Sequence, residues 1–127
     1  MDTRTRAVLL LALTAVVGSR TALAQAPAAV TPALIAQGDS IFHSKGNCYA
    51  CHGANAQGAV GPNLTDAEWI HSDGSYDAIV KQVTTGVPQN ESKSGIMMPP
   101  KGGSSITDDE VKAVAAYVYS LSHKTGS

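Results

Sequence analysis

An all-α fold class follows from three features of this 127-residue chain. Apolar residues recur at helical spacing in three stretches. No alternating run is long enough to make a strand. The last helical stretch opens on a complete capping sequence. Taken in order, the first helix is expected from Pro32 to about Ser44, with Leu34, Ile35, Gly38, Ile41 and Phe42 at helical spacing. Gly46 and Asn47 break it, and a turn begins at Cys48. Residues 53–64 are rich in Gly, Asn and Pro and read as a loop. A short helix is expected over Thr65–Ile70, with Thr65 as its N-cap. Ser75 to Thr85 reads as the next helix, through Ile79, Val80 and Val83. Gly86 to Ile106 is expected to be one long loop, a length that in a small domain points to function or disorder. Thr107-Asp108-Asp109-Glu110 then forms a capping box, with acids placed to suit the helix dipole. Val111, Val114, Ala115, Val118 and Leu121 make the apolar face of this last helix, and Tyr117 lies beside it.

Residues 1–24 have the layout of a secretory signal peptide: Arg4 and Arg6, an apolar stretch from Ala7 to Gly18, and a small-x-small site at Ala22-Leu23-Ala24. The apolar stretch is shorter than the ~20 residues of a spanning helix, so no stable membrane anchor is expected. Residues 25–31 read as an Ala/Pro-rich linker, 32–123 as one small domain and 124–127 as a tail. Cleavage after residue 24 leaves 6 Lys against 9 Asp or Glu, a net charge of −3. With no basic run, nucleic acid and anionic lipid are not expected partners.

Cys48-Tyr49-Ala50-Cys51-His52 carries the chemistry, and it contains the only two cysteines of the chain. This C-x-x-C-H spacing is that of covalent c-type haem attachment. Residues three apart share a helical face, so both thiols can reach one porphyrin edge. His52 follows at once and can offer the iron an imidazole nitrogen. A thioredoxin-like pair would need a βαβ context, which is not present upstream. A zinc site would need more ligands at paired spacing than His43 and His71 offer. Export into an oxidising compartment, with a Gram-negative periplasm fitting best, gives two otherwise unpaired thiols a reason to exist as thioethers.

With these features the chain resembles the class I monohaem cytochrome c family over about residues 33–122. Gly38 and Phe42 match the family's first helix where it crosses the last, and Val114 and Tyr117 match the partners there. The resemblance implies a cytochrome c fold, with the N- and C-terminal helices crossing and short helices and loops wrapped around one haem c. Gly61-Pro62-Asn63-Leu64 resembles the segment whose proline carbonyl orients the proximal histidine, which implies that role for Pro62 toward His52. The family's sixth ligand is a methionine before a proline in the loop preceding the last helix. Met98-Pro99 matches it, with Met97 as the rival that otherwise packs as a flexible filler. Trp69, the lone tryptophan, either donates its N–H to a haem propionate or packs as a core indole. His43, His71 and His123 read as solvated surface residues.

The resemblance implies an electron carrier rather than an enzyme: a monomeric periplasmic protein passing single electrons between redox proteins, membrane-bound or soluble, through His52- and Met98-ligated haem c. One alternative is an electron-accepting subunit of a dehydrogenase or oxidase complex. Another is a haem enzyme such as a peroxidase, with an open sixth site near Glu91 and Lys93.

Overall fold

The computed structural model describes residues 26–124. The signal peptide expected over 1–24, Gln25 and residues 125–127 lie outside the described residues. The described chain forms α1 (Pro32–Phe42), α2 (Tyr49–His52), α3 (Tyr76–Thr85) and α4 (Asp108–Ser122), with a 3-10 turn at Pro100–Gly103 between the last two. None of the described helices is long and apolar enough to cross a membrane.

Local chemistry sets the helix ends. Thr31 Oγ1 accepts the Leu34 N–H at 3.2 Å, and Pro32 occupies the first turn, where a missing N–H costs nothing. α1 stops two residues before the expected Ser44. There the Ile41 carbonyl accepts from both Ser44 and Gly46, and the chain tightens into a turn. Ser75 caps α3 through the Ala78 N–H. Thr107 and Glu110 complete the capping box of α4 in both directions. Lys45 pairs with the Glu110 carboxylate and ties the chain after α1 to the start of α4.

α1 and α4 cross at Gly38. A Cβ on Gly38 would lie 1.9 Å from the Ala113 carbonyl oxygen and 2.9 Å from Tyr117 Cβ. Only a residue without a side chain allows that approach. Beside the crossing, Phe42 is fully buried and meets Tyr117 edge-on, with ring centroids 5.3 Å apart. Val111 and Val114 fill the space beneath, and α3 closes the core with Tyr76, Ile79 and Val83. The Tyr76 hydroxyl donates to the Lys112 carbonyl at 3.3 Å.

Two segments differ from the sequence expectation. No helix forms over 65–70. Asn63 Oδ1 accepts from both the backbone N–H and the hydroxyl of Thr65, and Asp66 Oδ1 accepts the Glu68 N–H. These short polar side chains bond the backbone two residues on and hold the segment in local turns, the alternative to a helix that such residues favour. The stretch Gly86 to Ile106 is not structureless either. Val87 and Met98 form an antiparallel bridge, exchanging two backbone hydrogen bonds of 2.9 Å. The bridge pinches off residues 88–97 as a closed excursion, and the 3-10 turn follows it. Gly86 makes this possible. Its φ is +69°, and a Cβ there would lie 2.2 Å from the Met98 carbonyl oxygen.

Candidate haem c site

Cys48 already has helical backbone angles, so the C-x-x-C-H run is one continuous helical turn. Cys48 is half-buried and Cys51 exposed. Burial pushes the Cys48 thiol up to about 11, so it is protonated at neutral pH. A redox-active pair needs the opposite, a thiolate favoured by its surroundings. Among the described residues, no group of three His, Cys, Asp or Glu side chains stands ready to hold a metal ion.

His52 is 8 % exposed, and its Nδ1–H donates to the Pro62 carbonyl at 2.9 Å. Since a carbonyl only accepts, the proton of the neutral ring sits on Nδ1 and the lone pair on Nε2. Burial pushes the His52 proton affinity down, opposed by the Pro62 carbonyl, so the ring stays neutral. The segment carrying Pro62 is laced to the attachment turn. Gly61 N–H donates to the Cys51 carbonyl at 2.8 Å, and Gly58 N–H to the His52 carbonyl at 2.7 Å. This fixed, neutral imidazole is the form that binds iron.

Cys48, Cys51 and His52 line a cavity of about 310 Å³, together with Val60, Pro62 and Met98. That volume lies in the range of cofactor and small-ligand sites. A smaller inner recess of about 40 Å³ continues from it between Phe42, Trp69, Gln82 and Met98. Met98 lines both spaces and packs against the core, whereas Met97 lines only the outer one and is 51 % exposed. Trp69 therefore faces the inner recess. His71 borders the outer cavity, while His43 and His123 border neither.

The residues present fit a haem. Val60, Ile70 and Ile96 stand at the cavity with 46 %, 40 % and 54 % of their surface exposed, an apolar rim that a bound macrocycle would cover. Gln82 Oε1 is buried without a hydrogen-bond partner, at a cost of about 1–3 kcal/mol if left so. A half-turn of its terminal amide presents N–H donors instead, suited to an acidic propionate edge. Sequence reasoning passed over Gln82. The available signal was a polar residue three positions from Ile79 on a stripe that α3 otherwise buries.

Comparison with known proteins agrees with this geometry. Residues 33–118 match the family described as cytochrome c oxidase, cbb3-type, subunit III. The chain is 42 % identical over 92 residues to the cbb3-type cytochrome c oxidase subunit CcoP of Rubrivivax gelatinosus, a match covering 72 % of this chain and 27 % of that protein. It is 38 % identical over 102 residues to the corresponding subunit FixP of Rhizobium meliloti, covering 78 % and 31 % respectively. The chain thus spans about a third or less of the curated relatives it matches. Among solved structures, cytochrome cL of Methylophaga aminisulfidivorans superposes with a TM-score of 0.59 at 24 % identity, over 74 % of this chain and 57 % of that one. Cytochrome cL of Hyphomicrobium denitrificans gives 0.55 at 20 % identity, over 70 % and 48 %. At such identities these two show the fold alone. Cytochrome c membership implies haem c, and Cys48 and Cys51 fit its attachment motif. The chain belongs to the cbb3-type cytochrome c oxidase subunit III family, on a class I cytochrome c fold.

Proposed function

We propose that this chain is a one-electron transfer domain that works with a cbb3-type oxidase, outside the cytoplasmic membrane. The observation that carries the chemistry is the pairing of a buried, neutral His52 with Met98 around one apolar cavity. Haem c, when bound, supplies a one-electron iron couple. Cys48 and Cys51 would hold it as thioethers. His52 Nε2 and Met98 Sδ would hold its iron, and Trp69 and Gln82, which line the recess, would supply N–H donors to its acidic groups. Two protein ligands held in place would keep bonding nearly constant when the electron is gained or lost. A soft thioether also favours the reduced iron and raises its potential.

The relatives favour the oxidase-associated reading over a free shuttle, because those at 42 % and 38 % identity are themselves named oxidase subunits. Expression of the tagged chain in its own cells tests this. Elution with an oxidase at fixed stoichiometry, together with loss of cytochrome-linked oxygen uptake on deletion, is the expected outcome. Recovery only as a free soluble protein, with oxygen uptake unchanged, overturns it and favours the carrier.

Ligation is testable separately. Met98→Ala is expected to abolish the methionine–iron charge-transfer band of the oxidised protein and to let the reduced protein bind CO at neutral pH. Met97→Ala is expected to leave both properties unchanged. The reverse pattern would assign Met97 instead. CO binding by the wild type would support an open-site enzyme.

A further inference from the structure

His43 is a surface residue by exposure but not by bonding. Its side chain is 35 % exposed, yet both ring nitrogens are engaged. Nε2 lies 2.6 Å from the Ala54 carbonyl oxygen. Nδ1 lies 2.9 Å from the Asp39 carbonyl oxygen and 2.9 Å from the Asp39 carboxylate. All three partners can only accept. A neutral imidazole has one N–H and one lone pair, so it would set a lone pair against an oxygen at one end. The geometry requires two N–H groups, and hence the imidazolium.

The ring is held in a frame of aromatics. Phe42 and Tyr117 meet it at tilted angles, with centroids 5.1 and 6.0 Å away, and Tyr49 of α2 stacks at 6.4 Å. The ionisable groups facing it are Asp39 of α1, Tyr49 of α2 and Tyr117 of α4. Ala54 follows His52 by two residues, at the head of the segment that returns as Pro62. His43 therefore spans from the end of α1 to the chain that positions the proximal imidazole.

We propose that His43, as an imidazolium, is a positioning residue that clamps the segment after the attachment motif to α1 and releases it on losing its proton. This rests on the haem reading given above. The Ala54 and Asp39 carbonyls, helped by the Asp39 carboxylate, raise its proton affinity above the ordinary 6.5, against a smaller opposing effect of burial. The folded chain thus binds this proton more tightly than the unfolded chain. The clamp's stabilisation is complete below pH 6.5 and is lost as pH rises through the elevated value. Oxidised iron carries one more positive charge than reduced iron and repels the imidazolium. The midpoint potential should therefore fall as pH rises through the same window.

The test uses the haem-loaded protein, with His43→Asn and His43→Phe beside the wild type. The His43 ring proton, followed by NMR, should titrate above 6.5. Exchange of the Gly58 amide, which donates to the His52 carbonyl, should be roughly tenfold faster in both variants than in the wild type at pH 6. The fall in potential across the window should vanish in both variants, while any propionate-linked slope remains. A ring titrating at or below 6.5, or potential–pH profiles identical to the wild type, overturns the clamp. Absence of a haem spectrum in the wild type would instead overturn the haem reading itself. His43→Asn keeps a donor and small size, so the comparison survives if His43→Phe fails to fold.

Discussion

Alanine at both Cys48 and Cys51 is expected to yield a chain without covalent haem that has lost most of its cooperative fold. The argument is one of volume. The two cysteines border a cavity of about 310 Å³. Cavities left by removed core atoms cost about 24 cal/mol per Å³, which bounds the loss at about 7 kcal/mol. A domain of this size has a net stability of only about 5–15 kcal/mol. Phe42, Trp69, Val114 and Val118, which border the inner recess, would face an empty space or water. Haem staining after denaturing electrophoresis and far-ultraviolet circular dichroism report the two losses. A haem-free variant that still melts cooperatively would show that α1, α3 and α4 support themselves.

Gly38→Ala is expected to destabilise the holoprotein by about 3 kcal/mol, at the upper end of overpacking effects. On an exposed helix face the same change stabilises by about 1 kcal/mol, so the sign is diagnostic. The added methyl would sit 1.9 Å from the Ala113 carbonyl oxygen, and backbone cannot swing aside as a side chain can. α1 and α4 would have to separate, opening the contacts of Phe42 with Tyr117 and of Ile41 with the core. Urea denaturation measures the change. A midpoint equal to or above the wild type would mean that the helices do not cross at this glycine. Gly38→Val should be worse, because it adds two more methyl groups to the same point.

How much could be read in advance depended on the range of each interaction. The capping box at Thr107 and the helical spacing of α1, α3 and α4 are written within a few neighbouring residues, and these helices form, with α1 ending two residues early. The Gly38/Phe42 and Tyr117 pairing was legible through the cytochrome c resemblance, and the crossing is present. The helix expected over 65–70 failed because Asn63 and Asp66 satisfy nearby backbone donors, a competition that apolar spacing does not register. His43 looked like a solvated surface histidine because the oxygen that engages its Nε2 belongs to Ala54, across a turn. Gln82 needed the cavity before its buried oxygen meant anything.

By itself the sequence determined the helical class, the C-x-x-C-H turn and the set of candidate ligands, because each depends on spacing along a few residues. The cytochrome c resemblance pointed to Met98 through Met98-Pro99, and the tertiary structure added where each methionine lies: Met98 at the recess, Met97 at the rim. Neighbours in an extended segment point to opposite sides, and the bridge to Val87, closed over Gly86, sets which side chain reaches the recess and which remains at the rim. That pairing joins residues eleven apart through a loop of no regular period, so no local pattern could announce it.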